Sequence, residues 1–106
     1  MAQPTGTELD KLLTMLKYNL EIITDYMDAD TKAAKELELT QYIQASVSFM
    51  ETEGIIPNYS NYDDCMLVTM YAGYLYEKRK DVTAQYPRML RYNLNNRLFS
   101  QKVKQS

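Results

Sequence analysis

The sequence contains no histidine and no tryptophan, and only one cysteine, three glycines and three prolines among its 106 residues. Without histidine it lacks the usual acid–base group at neutral pH, the Ser–His and Cys–His nucleophile pairs and the commonest nitrogen ligand of zinc. We therefore predict a protein that is not an enzyme, with no catalytic residues and no cofactor. The single Cys65 has no disulfide partner in the chain, which favours a reducing compartment.

Long apolar runs are also missing. The longest falls far short of the roughly 20 residues that a membrane span requires, and the N-terminus lacks the basic-then-apolar pattern of a signal peptide. We expect a soluble protein that is not exported and has no membrane partner. The length fits one domain, residues 1–106.

Two groups of acidic residues raise the question of a metal site, and neither has the required spacing. A calcium loop beginning at Asp25 or Asp28 would place apolar residues where oxygen ligands belong. A carboxylate-bridged di-iron bundle would need Glu-x-x-His pairs, which a chain without histidine cannot supply. We predict no metal site, and we assign the acidic residues near position 28 to helix capping.

The net charge of −2 conceals an uneven distribution. Residues 1–54 carry four lysines against ten acids, and residues 55–106 carry eight bases against four acids. The segment after Val82 contains no acid, and its five bases are candidate contacts for an acidic or phosphate-bearing partner: Arg88, Arg91, Arg97, Lys102 and Lys104. A solvated basic helix is the alternative interpretation of this segment.

Glycine and proline divide the chain into four segments with helical periodicity. We predict helices at about 8–19, 29–53, 61–80 and 87–99, followed by a basic tail at 100–106. The fold class is therefore all-α, a small bundle of about four helices with one long helix and one nearly all-apolar central helix. The expected helix-end residues are Thr7, Asp28 or Asp30, Ser60 or Asn61, and Gly54.

The third segment leaves almost no polar face, so we expect it to be covered on several sides, partly by another subunit. Tyr71, Tyr74 and Tyr76 point to different sides of this helix, and tyrosine is frequent in interfaces. Ala72 and Gly73 make a flat place on it, and a glycine inside a helix usually has a packing reason. These five residues are the candidate subunit-packing residues.

Three stretches occur in an order that resembles the head-tail connector family of tailed bacteriophages. They are Tyr42–Ser46 continuing through Phe49–Glu51, the run Met70–Arg79, and the closing Met89–Leu90 with Leu94–Phe99. The resemblance covers about residues 8–100. The polar cluster at Asn93, Asn95 and Asn96 departs from the family pattern.

The resemblance implies a small all-α subunit that forms a ring, usually twelvefold, beneath the portal of the virion, after assembly in the host cytoplasm. The ring would extend the DNA channel and dock the stopper or tail-completion protein. Any contact with the DNA that passes through it would have no sequence preference. Carried over by position, the family implies packing roles for the five candidate subunit-packing residues. In the closing helix it implies assembly roles for Arg91, Leu94, Arg97 and Leu98. It also implies that the C-terminal region, with the five bases listed above, reaches toward the portal.

Two other classes of function remain open from the sequence. A helix-turn-helix DNA-binding regulator would use the fourth helix for recognition, with Arg88, Arg91, Asn95 and Arg97 as its base-reading residues. A monomeric helical adaptor would bind one partner helix in an apolar groove.

Overall fold

The computed structural model describes residues 3–83 and 86–105, with side chains as far as Lys102, and its helices are α1 (Thr7–Asn19), α2 (Ala29–Thr52), α3 (Tyr62–Lys80) and α4 (Arg88–Gln105). This confirms the all-α fold class. The bounds of the first three helices agree with the prediction to within one residue at each end. None of the four helices, within the described residues, is long and apolar enough to cross a membrane.

The fourth helix differs from the prediction because it continues through the segment expected to be a tail. The apolar stripe of α4 stops at Leu98, which suggested an end near residue 99. A polar contact holds the next turn instead, since Gln101 Nε2 donates to the Gly54 carbonyl (2.7 Å) and the Ile56 amide donates to Gln101 Oε1 (3.0 Å). The helix therefore extends to Gln105.

Helix α3 lies at the centre of the fold and packs against each of the other helices. The apolar core comes from all four helices and from the segment that joins α2 to α3; its largest members are Leu12, Leu16, Leu39, Ile43, Met50, Ile55, Leu90 and Leu94. Ser46 is buried between α2 and α3, and its hydroxyl donates to the Val68 carbonyl (2.8 Å). This small residue allows the two helices to approach closely, as its place in the apolar stripe of α2 predicted.

Two of the predicted helix caps are confirmed and one is wrong. The Asp28 carboxylate accepts from the Thr31 amide (2.7 Å) at the start of α2, and the Asn61 side chain accepts from the Asp63 amide (2.9 Å) at the start of α3. Thr7, expected to cap α1, is its first helical residue. Gly6 takes the cap position with φ +56°, a conformation that a residue with a Cβ rarely adopts.

Helices α1 and α2 end in the same backbone motif with different residues in the left-handed position. Gly54 (φ +91°) follows α2, and its amide and that of Ile55 donate to carbonyls of the last turn. Glu21 (φ +58°) takes the equivalent position after α1, and its amide donates to the Tyr18 carbonyl (3.1 Å). A non-glycine residue is strained in this conformation.

Replacing Glu21 by glycine should therefore stabilise the protein. We expect Glu21→Gly to raise the free energy of unfolding by about 1 kcal/mol, because glycine adopts the left-handed conformation without steric cost. The measurement is chemical denaturation followed by circular dichroism. Glu21→Ala is the matched control, since it removes the charge but keeps a Cβ, and an equal gain from alanine would contradict the backbone explanation.

The cap of α2 should make stability depend on pH. The hydrogen bond from the Thr31 amide lowers the pKa of Asp28 below its ordinary value of 3.8, because the charged carboxylate is the better acceptor. The cap is therefore fully stabilising above that value and is lost as the pH falls through the lowered pKa.

This dependence can be measured as the difference in acid unfolding between the wild type and Asp28→Asn. Asparagine caps a helix as well as aspartate but does not titrate. We expect the wild type to lose more stability than the variant below a pH of about 4. Parallel acid unfolding curves would rule out the Asp28 contribution.

Candidate functional site

The five bases predicted to contact a portal or phosphate have different environments. Arg91 Nη1 donates to Oε1 of Glu53, the residue just after α2 (2.7 Å), and this hydrogen bond raises the pKa of Arg91. Arg97 is bound to Asp64 of α3. Arg88 and Lys102 are exposed on α4. The remaining base, Lys104, has a side chain outside the described residues.

The Arg97 side chain forms a two-pronged ion pair with a fully buried carboxylate. Its Nε donates to Asp64 Oδ1 (2.7 Å) and its Nη2 donates to Asp64 Oδ2 (3.0 Å). The amide of Asn58 adds a third donor to Asp64 (2.8 Å), and Arg97 Nη2 also donates to the Ile56 carbonyl (3.1 Å). Asp64 stands in the first turn of α3, where the helix dipole also favours a negative charge.

This ion pair joins α3, α4 and the segment that connects α2 to α3. Arg97 and Gln101 lie one turn apart on α4, and together they bind backbone groups of Gly54 and Ile56 as well as the Asp64 carboxylate. Arg97 is therefore a fold-stabilising residue of the subunit. Its replacement tests the fold first, and it is not a clean test of contact with a partner.

Two of the five candidate subunit-packing residues are buried inside their own chain. Ala72 has no exposed surface and Tyr76 is 7% exposed. The Tyr76 ring contacts Tyr42 edge-on (centroids 6.1 Å apart), and the ammonium groups of Lys35 and Lys80 lie 5.1 and 5.4 Å from its centroid. Tyr76 and Ala72 thus have little or no surface to offer a second subunit.

Tyr71 and Tyr74 belong to an aromatic cluster that joins α2, α3 and the residues just before α4. Tyr71 stacks on Phe49 at 4.3 Å between centroids, and both tyrosines contact the Tyr86 ring, at 6.2 and 5.2 Å. Burial raises the pKa of the Tyr71 phenol. Both remain partly exposed at the edge of the cluster.

Gly73 faces helix α1. A Cβ built on it would lie 3.8 Å from Leu16 Cδ1 and 3.8 Å from Leu20 Cδ2, which is ordinary contact distance. A Cβ would therefore fit at this position, and the approach of α1 to α3 does not require Gly73. Gly73 also stands at the edge of the open face of α3.

An open groove runs along the face of α3 that lies between α1 and α4. It consists of two adjoining depressions of about 730 and 700 Å³, which share Met66 and Met70. We call it the α3 groove and define it by six of the α3 residues that line it: Asp63, Met66, Met70, Gly73, Tyr74 and Glu77. Asn93, Asn96 and Ser100 of α4 form one wall near Asp63, and Leu20 contributes to the other end. Neither Asp63 nor Glu77 forms a side-chain ion pair within the described residues.

A second open surface lies on α4, on the side turned away from the core. Met89, Tyr92 and Phe99 are 58, 60 and 69% exposed there, and Arg88 and Lys102 are exposed beside them. We call these five residues the outer face of α4. The prediction assigned Met89 or Leu90 to the inner face, and Leu90 is the buried one. The spacing of residues 89, 92 and 99 was the available signal for this second apolar stripe.

Cys65 is a buried free thiol whose Sγ donates to the Tyr59 carbonyl (3.3 Å). Burial raises the pKa of this thiol, which is the environment of an unreactive structural cysteine. Within the described part of the chain, no three cysteine, aspartate or glutamate side chains form a cluster that could hold a metal ion.

Breaking the ion pair between Arg97 and Asp64 should lower the free energy of unfolding far more than removing an exposed charge from the same helix. We expect Arg97→Gln to lower the free energy of unfolding by about 3 kcal/mol, because it leaves the Asp64 carboxylate buried without its cation. Arg88→Gln is the matched control and should change it by less than about 0.5 kcal/mol. Urea denaturation of both variants is the measurement, and equal losses would refute the special role of the pair.

No protein-family model, no curated protein and no solved structure matches this chain. The resemblance to phage head-tail connectors therefore stays a prediction from the sequence.

Proposed function

We propose that this chain is a structural subunit of a bacteriophage head-tail connector, a ring that lies beneath the portal in the virion, extends the DNA channel and docks the stopper or tail. Its role is to assemble, and no step of catalysis is assigned to it. The resemblance of residues 8–100 to that family supplies the identity of the assembly.

The observation that carries the proposal is an apolar outer face on α4 in a protein whose core is already complete. Leu90 and Leu94 fill the inner side of α4, so Met89, Tyr92 and Phe99 are not required for folding. Large apolar side chains grouped on one exposed helix face are typical of interaction surfaces. A subunit of a ring needs such surfaces, and an isolated monomer does not.

The alternative function, a helix-turn-helix DNA-binding regulator, is less well supported than the connector function. Two of its four base-reading residues, Arg91 and Arg97, are bound to Glu53 and Asp64 and are not available to a base edge. Arg88 and Asn95 alone remain exposed from that set. A recognition helix requires several exposed polar side chains on one face, and here that face carries Met89, Tyr92 and Phe99.

We place the portal contact at the C-terminal end of α4, beyond the residues that stabilise the fold. Deleting residues 100–106 would remove Gln101, which binds Gly54 and Ile56, so the informative truncation is the deletion of residues 103–106 alone. This truncation removes Lys104 and leaves the Arg97 ion pair intact.

The test is co-sedimentation of the chain with portal-bearing capsids from the same genome, followed by negative-stain imaging. We expect the wild type to add a ring of density under the portal, and the truncated chain to be recovered less at low salt. Recovery of the two proteins should converge at high salt, because exposed charges are screened over about 10 Å at 0.1 M salt.

Three results would count against the proposal. Failure of the wild type to bind portal-bearing capsids would refute the connector function. Tight, sequence-dependent binding to duplex DNA from the same genome would favour the regulator. Equal recovery of wild type and truncation at both salt concentrations would move the portal contact to the acidic N-terminal half.

A further inference from the structure

We propose that the α3 groove is the docking site for the outer face of α4 of a second copy of this chain, so that copies join head to tail. This deepens the proposed function and rests on it for the biological assembly, since it names the two surfaces by which one connector subunit would bind the next. The occupant we propose is one helix of an identical chain.

The groove has the shape and the chemistry of a site for one helix. Its floor consists of Met66 and Met70, with Tyr74 towards one end, all on one face of α3. Methionine side chains adapt to irregular partners, and apolar grooves lined by them are common docking sites for amphipathic helices. Helices α1 and α4 stand on either side of this floor.

The outer face of α4 matches that floor. It presents Met89, Tyr92 and Phe99, a stripe of one thioether and two aromatic rings. Aromatic side chains and methionine are enriched in the buried centres of protein interfaces. Sulfur–aromatic contacts add to the apolar burial when the two are brought together.

The charges at the edges of the two surfaces are opposite. Asp63 and Glu77 stand at the two ends of the groove, 14 residues apart on α3, which is about 21 Å along a helix. Arg88 and Lys102 flank the outer face of α4 and are also 14 residues apart. Arg88 forms no ion pair within the described residues. The acidic groove and the basic helix face thus have equal span and complementary sign.

The two surfaces differ from each other, and this determines the kind of assembly. A contact between unlike patches is heterologous. In an open row of copies, each of the two terminal copies keeps one unused patch. Such contacts close into a ring when the rotation between neighbours allows it. The contact extends from Arg88 to Lys102, so it leaves the residues after Lys102 for the portal.

Cross-linking between two single-cysteine variants tests the contact directly. In a Cys65→Ser background, Phe99→Cys is mixed with Met70→Cys and treated with a short bismaleimide. We expect a mixed dimer from this mixture and much less from either variant alone. Leu37→Cys replaces Met70→Cys as the control, because Leu37 is exposed on α2 away from both surfaces.

Charge reversal tests the pairing and gives its direction. We expect Arg88→Glu to weaken self-association, measured by sedimentation velocity, by about tenfold or more, because it places like charges together. Adding Asp63→Arg or Glu77→Arg should restore association, and the variant that succeeds shows which end of the groove receives Arg88. Lys32→Glu is the matched reversal outside both surfaces and should have little effect.

The inference is overturned by a chain that stays monomeric both alone and on portal-bearing capsids. It is also overturned by cross-linking of Phe99→Cys to Leu37→Cys as strong as to Met70→Cys, by efficient dimerisation of Phe99→Cys alone, or by failure of both rescues. Binding of portal without the predicted cross-link would remove this inference and leave the connector function. The predicted cross-link without portal binding would remove the connector function and leave the contact between copies.

Discussion

The ion pair between Asp64 and Arg97 holds α4 against α3, and the two open surfaces of the protein depend on that position. A carboxylate with no exposed surface requires a full set of donors, and Arg97 and the Asn58 amide supply them. To reach Asp64, α4 must lie against the first half of α3. The same guanidinium binds the Ile56 carbonyl, so the segment between α2 and α3 is held in place as well.

The position of α4 has a consequence for the surface of α3. Helix α4 covers one flank of α3 and α1 covers another, and the strip between them remains open as the α3 groove. An almost wholly apolar helix is thus buried on most sides by its own chain and left accessible along one face. That face is where the proposed second copy binds, because Met66 and Met70 remain accessible there for further apolar burial.

Both proposals depend on a distinction between cations that stabilise the fold and cations that face solvent. Arg97 pairs with the buried Asp64 of α3 and Arg91 with Glu53 just after α2, whereas Arg88 lies on the exposed side of α4 and forms no ion pair within the described residues. The net positive charge of the second half of the chain is therefore larger than the positive charge that is accessible to a partner. A head-to-tail contact needs only a few of these charges, provided that they flank an apolar stripe.

The sequence alone determined the fold class and the bounds of three helices, because periodicity is a local property of the chain. Capping preferences reduced the choice of two caps to Asp28 or Asp30 and to Ser60 or Asn61. The sequence did not reveal the length of α4, the cap at Gly6 or the separate roles of the five bases. Gln101, Arg97 and Asp64 are far apart in sequence, and only the tertiary structure brings a buried carboxylate within reach of one arginine and not another. The same holds for Ala72 and Tyr76, whose burial depends on which helices surround α3. Contacts between distant residues were therefore decided by packing, and packing also created the groove and the outer face on which the function is proposed to depend.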